Sequence, residues 1–288
     1  MNAKINTMKV VRDGVSLAYH EAGGGDGSPI LFVHGFGCSG GHFRLQQQHF
    51  ASFTRTVAVD LRGHGASDAP LQDYSPIGFA EDLRWLCDHL DLKRPIVVGH
   101  SMGGNIAMTY GGIRPARVRR IVNLEGFGLP RTDPSQAPER HAKWLDQLWE
   151  APEFNDYADA DDLAARLVRR NPRLAADRAS YIASCWTKSL ASGGVRLRAD
   201  PAHRLVNPYL YRREEMEACW RRLIAPVLMI LGGKSEVATR LGTEGGEAAF
   251  RACIPDVRVE VLDDAGHMLH HEEPAAVARL IEDFLGSA

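Results

Sequence analysis

The stretch "VVGHSMGGNIAM", residues 97–108, decides how the rest of the chain is interpreted. It contains the pattern G-x-S-x-G as Gly99, Ser101 and Gly103, between an apolar run and a run of helical character. A serine in this context occupies a tight turn from strand to helix, and glycines on either side let neighbouring backbone approach without a Cβ clash. The turn exposes the hydroxyl at a helix N-terminus, where developing negative charge is stabilised. We therefore predict that Ser101 is a catalytic nucleophile.

Short apolar runs surround this stretch along the chain. Those with the β-branched composition of buried parallel strands are 29–35, 56–60, 95–101, 120–126, 226–233 and 257–266. Helical stretches are expected between them at 76–91, 102–114, 241–253 and 274–285. The alternating runs "MKVV" and "VSLAYHEAG" predict an antiparallel hairpin at the N-terminus. The alternation of strand and helix predicts an α/β fold, a doubly wound and mostly parallel sheet flanked by helices.

One long interval interrupts this alternation. Between 127 and 220 no buried strand is predicted, yet the interval is too rich in Trp, Leu and amphipathic spacing to be disordered. We predict a helical cap subdomain at 127–220, inserted into a core domain formed by 1–126 and 221–288. The aromatic residues proposed to line a substrate pocket in this cap are Trp144, Trp149, Tyr181 and Trp186. The alternative is that they form the hydrophobic core of the cap itself.

Composition excludes several functional classes. The 288 residues are 44% hydrophobic and 24% charged, with a formal net charge of -2, so neither nucleic acid nor an anionic membrane is an expected partner. Five scattered cysteines without CxxC spacing indicate reduced thiols and neither a disulfide frame nor a zinc site. The N-terminus lacks an apolar signal region, and no apolar run approaches the roughly 20 residues of a membrane span. We expect a cytoplasmic protein. A homodimer is one possible state of association for it.

A nucleophilic serine needs a base within hydrogen-bond reach. Of twelve histidines, His267 is the best candidate, because "VLDDAGHMLHHEEP" (261–274) places it directly after the turn that follows the last strand. His270 and His271 lie one turn further on, where we expect them to face solvent or a capping carboxylate.

Three more histidines, His34, His64 and His100, lie in turns flanked by glycine. An imidazole in such a turn usually satisfies backbone groups of the loop, so we predict structural roles for all three.

Four motifs follow one another in an order that is typical of one family. They are "FVHGFG" (32–37), "DLRGHGASD" (60–68), "GHSMGG" (99–104) and "AGHMLHHEEP" (265–274). Together they resemble the α/β-hydrolase fold superfamily, in its capped serine hydrolase branch with esterases, dehalogenases and epoxide hydrolases. The resemblance covers nearly the whole chain outside the insertion.

The resemblance implies roles for individual residues. Ser101 matches the nucleophile and His267 the general base, while Phe36 and Met102 match the two residues whose backbone N–H groups form the oxyanion hole. Many relatives have proline where this chain has Gly37, so we expect a more mobile oxyanion loop. Dehalogenases and epoxide hydrolases use an aspartate as nucleophile, and the serine argues against both activities.

The position of the catalytic acid departs from the usual pattern. In most relatives an aspartate follows the strand that reads "PVLMILGG" here, but this chain has Ser235 at that position. Glu236 stands one residue too late. Glu125 ends the strand in "RIVNLEG" and resembles the alternative acid position of some capped dehalogenases. We predict that Glu125 is the acid, with Glu236 as the alternative and Asp264 as a third candidate.

These residues lead to an expected activity. We expect a hydrolase that cleaves a carboxylic ester, or a related acyl bond, through a Ser-His-Glu triad and an acyl-enzyme intermediate. The expected partner is a small apolar ester, and no metal or organic cofactor is implied. Alternatives on the same fold are a carbon–carbon bond hydrolase of ring-cleavage diketones, an enzyme like hydroxynitrile lyases or cofactor-free haloperoxidases, and a non-catalytic ligand-binding protein.

Overall fold

The computed structural model describes residues 3–12, 14–69 and 74–286. Its strands in chain order are β1 (Asn6–Arg12), β2 (Val15–Ala22), β3 (Ile30–Val33), β4 (Thr56–Val59), β5 (Ile96–His100), β6 (Arg120–Leu124), β7 (Asp156–Tyr157), β8 (Thr187–Ser189), β9 (Val195–Leu197), β10 (Val227–Gly232) and β11 (Val257–Leu262). Its α-helices are α1 (Arg44–Phe50), α2 (Pro76–His89), α3 (Met102–Ile113), α4 (Ala137–Trp149), α5 (Ala160–Arg170), α6 (Ala176–Trp186), α7 (Arg213–Trp220), α8 (Glu236–Leu241), α9 (Glu247–Cys253), α10 (Leu269–Glu272) and α11 (Pro274–Gly286). Among the described residues no helix is both long enough and apolar enough to cross a membrane.

Eight strands form the central sheet, in the order β1-β2-β4-β3-β5-β6-β10-β11. The strands β1 and β2 form the predicted antiparallel hairpin, and β2 also pairs antiparallel with β4. Every pair from β4 to β11 is parallel. The predicted mostly parallel sheet is confirmed.

Both faces of the sheet are covered, as the apolar strands predicted. In β3, Leu31 and Val33 face one layer of core while Ile30 and Phe32 face the other, because successive side chains of a strand alternate. The first layer includes side chains from α2, α3, α7 and α9, and the second includes side chains from α1 and α11. All four β3 residues are buried, which explains the absence of polar positions in this strand.

Two helical predictions differ from the structure. The predicted helix 241–253 begins too early, because α8 ends at Leu241 and a 3-10 turn follows that begins at Gly242 with a φ of 54°. Only its second half is helical, as α9. Helix α1 was not predicted, since "RLQQQHF" has only two apolar residues, of which Phe50 enters the core.

The insertion contains a small sheet besides its helices. The strands β7, β9 and β8 pair antiparallel in that order, and they were not predicted because each has only two or three residues. Helices α5 and α6 enclose a separate hydrophobic core that includes Leu163 and Ile182. Helix α7 does not join the core of α5 and α6. It packs on α3 and places Trp220 in the main core.

The parallel strands place several polar residues at one edge of the sheet. The chain leaves β5 at Ser101, β6 at Glu125 and β10 shortly before Ser235. The carboxyl ends of parallel strands meet at the same edge, where ligands of open α/β sheets bind. The turn after β11 brings His267 to this edge.

Candidate active site

Ser101 lies between β5 and α3 in a strained backbone conformation, with φ of 54° and ψ of -116°. Its backbone N–H donates to the carbonyl of Leu124 at 2.8 Å, which ties the turn to β6. A Cβ atom at Gly99 would lie 2.3 Å from the carbonyl oxygen of Gly103, and one at Gly103 would lie 2.0 Å from the carbonyl oxygen of Val33. Close packing around the turn therefore requires both glycines of the motif.

His267 lies within hydrogen-bond distance of the serine. Its Nε2 is 3.0 Å from the Oγ of Ser101, and its side chain is 29% exposed. His100 donates from Nε2 to the His267 carbonyl oxygen at 2.8 Å, and the N–H of Gly266 donates to Glu272 at 2.6 Å. These two bonds hold the turn that presents the imidazole to the serine and to solvent.

Glu125 approaches the other side of the same imidazole. Its Oε2 is 3.1 Å from Nδ1 of His267, and its Oε1 accepts the N–H of Gly232 at 2.6 Å. The hydroxyl of Ser235 donates to Oε2. Glu125 is 1% exposed and has a positive φ of 59°. A buried carboxylate needs several donors, and these three partners provide them.

The two alternative acids lie elsewhere. The side chain of Glu236 is 84% exposed and pairs with Arg240 at 3.2 Å on the surface of α8. Asp264 is exposed in the turn after β11. Of the three candidates, the structure brings Glu125 to His267. Ser235, at the usual acid position, supplies a hydroxyl donor to that carboxylate, a contact that sequence reasoning missed.

The two predicted oxyanion-hole residues flank the serine. Gly35 packs directly on Ser101, since a Cβ at Gly35 would lie 3.3 Å from the serine Cβ. Phe36 follows Gly35 in the loop after β3. Met102 is the first residue of α3, so its N–H has no carbonyl partner within the helix.

A histidine pair supports the loop that contains Phe36. Nε2 of His64 accepts the N–H of Gly37 at 3.1 Å, a bond that proline at this position could not make. Gly37 also has a φ of 74°, which proline cannot adopt. His203, from the insertion, lies 4.1 Å from His64 and 5.9 Å from Phe36 between ring centroids. Burial lowers the pKa of His64 well below its usual value and lowers that of His203 to about 4. Sequence reasoning missed His203, which has no motif around it.

The structural roles predicted for the turn histidines are confirmed by their contacts. His34 accepts the N–H of Leu61 at 3.0 Å through Nε2 and donates from Nδ1 to the Gly35 carbonyl at 2.7 Å. His64 donates from Nδ1 to the Arg62 carbonyl at 3.1 Å, and His100 donates to a carbonyl as described above.

The prediction for the last two histidines was wrong. His270 is 0% and His271 is 2% exposed, whereas solvent or a capping carboxylate was expected. The short helix α10 turns both imidazoles inward against His42, whose ring centroid is 4.2 Å from that of His270 and 4.5 Å from that of His271. Ring nitrogens of these three histidines lie within 4.8 Å of one another, so they could hold a metal ion.

The predicted pocket residues of the insertion occupy different environments. Trp149, the last residue of α4, is 91% exposed, which does not fit a pocket wall, and Trp144 is half-buried.

Tyr181 donates to the Gly41 carbonyl at 3.1 Å and lines a cavity of about 610 Å³. Neither Ser101 nor His267 is among the described lining residues of that cavity. Trp186 packs on the core of the insertion and lies near His42.

Comparison with known proteins places the chain in a family. The family model for the α/β hydrolase fold matches residues 28–274. A 2-(acetamidomethylene)succinate hydrolase of Mesorhizobium japonicum is 27% identical over 91% of this chain and 89% of its own.

Solved structures with the same fold include several named hydrolases. The crystal structure of E-2-(acetamidomethylene)succinate hydrolase has a TM-score of 0.80 at 24% identity and covers 98% of this chain and 100% of its own. A thioesterase domain from the curacin biosynthetic pathway has a TM-score of 0.84 at 23% identity, over 97% and 99% of the two chains. An esterase of Mycobacterium tuberculosis has a TM-score of 0.71 at 21% identity, over 98% and 92%. The chain is thus an enzyme that belongs to the α/β-hydrolase fold family.

Proposed function

We propose that the protein is a serine hydrolase that cleaves a carboxylic ester through an acyl-enzyme intermediate. The main support is one chain of contacts, 3.0 Å from Ser101 to His267 and 3.1 Å from His267 to Glu125. A serine hydroxyl is activated by a base, which a carboxylate in turn orients, and these contacts place the three groups in that order.

In the acylation step, the Oγ of Ser101 attacks the ester carbonyl while Nε2 of His267 takes the hydroxyl proton. The negative charge that develops on the carbonyl oxygen is stabilised by the N–H groups of Phe36 and Met102, and one such donor typically contributes 10²–10³-fold in rate. The tetrahedral intermediate then collapses, and the leaving alcohol receives the proton from His267.

Glu125 acts through His267 in both steps. Its carboxylate accepts the Nδ1 proton, which fixes the tautomer that leaves Nε2 free as a base, and it stabilises the imidazolium formed in each step. In deacylation, His267 removes a proton from water, which attacks the acyl-enzyme and releases the carboxylic acid. Serine is regenerated when His267 returns the proton to Oγ.

The surroundings of Ser101 favour a small apolar ester as substrate. Phe36 is 45% exposed and follows Gly35, which packs on Ser101, and Met102, directly after the serine, is half-buried. Apolar groups next to the nucleophile bind acyl chains by removing their surface from water. Two of the structural relatives are named as an esterase and a thioesterase, which agrees with cleavage at an acyl carbon.

A fluorophosphonate probe tests the proposal, because it phosphonylates serines that are activated as nucleophiles. We expect labelling at Ser101 in folded wild-type protein, none in Ser101→Ala, and turnover of p-nitrophenyl esters in a panel of increasing acyl length. Folded wild-type protein that is not labelled at Ser101 would overturn the mechanism. Labelling without ester turnover would redirect the substrate search, to cyanide release from cyanohydrins or to cleavage of diketones.

A further inference from the structure

A compact group of buried histidines lies behind the candidate active site. His42 is in the 3-10 turn after β3, while His270 and His271 are in α10, more than 200 residues later in the chain. The three side chains are 1%, 0% and 2% exposed, and each pair of ring centroids is within 4.5 Å. This group plays no part in the proposed hydrolysis.

The hydrogen bonds of the group define its tautomers. His100 donates from Nε2 to the His267 carbonyl, so its Nδ1 carries a lone pair that accepts from Nε2 of His42 at 3.2 Å. The Nδ1 of His42 then also carries a lone pair, and it faces Nε2 of His271 at 3.0 Å. Both rings are buried, and Nδ1 of His42 offers its lone pair to the neighbouring ring instead of carrying a proton. A neutral imidazole is the form that ligates metals.

His270 is the unusual member, because neither of its ring nitrogens has a hydrogen-bond partner although the side chain is fully buried. Nearly all buried polar side chains in proteins are paired, since leaving one unpaired loses the hydrogen bonds that it makes to water in the unfolded chain. Two neighbours have unpaired buried atoms as well, Oε1 of Gln46 and Nε1 of Trp186. Gln46 donates to the His270 carbonyl at 2.9 Å, and the Trp186 ring is 5.7 Å from His42. A bound cation would satisfy the lone pair of one His270 nitrogen, whereas the indole N–H of Trp186 is a donor and would need an acceptor.

We propose that His42, His270 and His271 bind one late first-row transition-metal ion, with Zn²⁺ as the ion that the donor set fits best. Three imidazoles with a fourth position left open are a common zinc donor set, and Zn–N distances of 2.0–2.1 Å place tetrahedral ligand atoms about 3.4 Å apart. The contact of 3.0 Å between His42 and His271 is close to that spacing. Small side-chain rotations bring the third nitrogen from within 4.8 Å to the same separation.

Binding requires one proton to change place. His271 moves its proton from Nε2 to Nδ1, so that Nε2 offers a lone pair to the ion, and no proton leaves the site because all three ligands are neutral. The bond from Nε2 of His42 to Nδ1 of His100 then orients the first ligand, as outer-shell partners of zinc-bound histidines generally do.

Two variants distinguish this site from adventitious binding. His270→Phe removes a ligand and two unpaired nitrogens, and it keeps an aromatic ring that can stack on Phe43, whose centroid is 5.2 Å from that of the imidazole. We therefore expect its melting temperature, without metal, to equal or exceed that of wild type. The matched control is His49→Gln, which removes a surface histidine of α1.

The experiment is a titration of metal-free protein with Zn²⁺ against a chromophoric chelator. We expect one ion per chain in wild type and in His49→Gln, and affinity at least about 100-fold weaker in His270→Phe, since even outer-shell partners contribute 10–100-fold. X-ray absorption of the wild-type zinc complex should show three imidazole nitrogens at about 2.0–2.1 Å, a result that does not depend on how any variant folds. The proposal is overturned if wild type binds no stoichiometric ion, if His270→Phe binds as tightly as wild type, or if the absorption spectrum shows fewer than three imidazoles.

Discussion

At the scale of single residues, the acid of the candidate site has a clear physical signature. Glu125 directly follows a buried apolar strand, where a charged side chain needs partners. This position, together with the resemblance to the acid of some capped dehalogenases, is why the sequence predicts it. Its backbone has a φ of 59°, rare for a residue with a side chain, and its carboxylate has three donors. The role of Ser235 could not be predicted, because a hydroxyl donor has no sequence signal until its acceptor is placed.

Ser235→Ala tests the support that the hydroxyl gives to Glu125. Removing a hydrogen bond to a charged group costs about 1.5–3 kcal/mol, so we expect kcat/KM for an ester to fall by about 10–100-fold. Ser235→Thr keeps the hydroxyl and the cap of α8, and should retain most of the activity. Steady-state kinetics of both folded variants provides the comparison, and full activity in Ser235→Ala would contradict the role.

The histidines show where prediction from single residues fails. The spacing of His270 and His271 after His267 predicted exposure, because the short helix that turns them inward has only four residues and no periodicity to detect. His42 stands in "GGHF" without any motif. Their contacts depend on the folded positions of segments that are far apart in the chain.

At the scale of elements, the turn from β5 to α3 sets the strongest packing constraint. A methyl group at Gly103 would lie 2.0 Å from the Val33 carbonyl oxygen and 2.6 Å from that of His34, and both of these atoms are backbone. We expect Gly103→Ala to lower the free energy of unfolding by at least about 4 kcal/mol, in the range of severe core disruption.

The matched control is Gly24→Ala, which places the methyl group in open space at a backbone angle that alanine accepts. It should change the free energy of unfolding by no more than about 1 kcal/mol. Chemical denaturation measures both variants, and equal stability of the two would show that the turn is less tightly packed than described.

Helix α7 tests how the insertion joins the main core. Trp220 is 2% exposed and packs with the first core layer, whereas Trp149 at the end of α4 is 91% exposed. We expect Trp220→Ala to cost about 3–5 kcal/mol in the free energy of unfolding and Trp149→Ala less than about 0.5 kcal/mol. A denaturant titration of the two variants makes the comparison, and a small effect of Trp220→Ala would mean that α7 is not part of this core.

At the scale of the whole molecule, the parallel sheet could be predicted because its strands are buried on both faces and therefore read as apolar runs. The order of motifs along the chain then located Ser101 and His267 at one edge. The small sheet of the insertion and the break between α8 and α9 could not be predicted, since strands of two or three residues and a single turn at Gly242 leave little pattern.

The buried neutral histidines give the molecule a predictable response to acid. Burial lowers the folded-state pKa of His34, His64 and His203 below 6.5, so each binds a proton more readily in the unfolded chain. Their contribution to stability is therefore complete above about pH 6.5 and is lost as the pH falls from there toward the folded-state pKa, by up to about 1.4 kcal/mol per pH unit for each.

Unfolding free energies at about pH 7.5, 6.5 and 5.5 test this response. We expect a steep loss below pH 6.5 that is shallower in His203→Gln and unchanged in His141→Gln, whose side chain is exposed. A stability that does not change with pH in this range would contradict the neutral state of these histidines.

The proposed role of Glu125, after β6, as the acid of a serine hydrolase is tested most directly by ester turnover in two glutamate variants. Glu125→Gln keeps the shape of the side chain but removes the charge that faces His267, and the loss expected for a triad acid is about 10³–10⁴-fold in kcat. Glu236→Gln, on the exposed surface of α8, should turn over ester within about twofold of wild type. Wild-type turnover in Glu125→Gln, or inactivity of Glu236→Gln, would contradict this role.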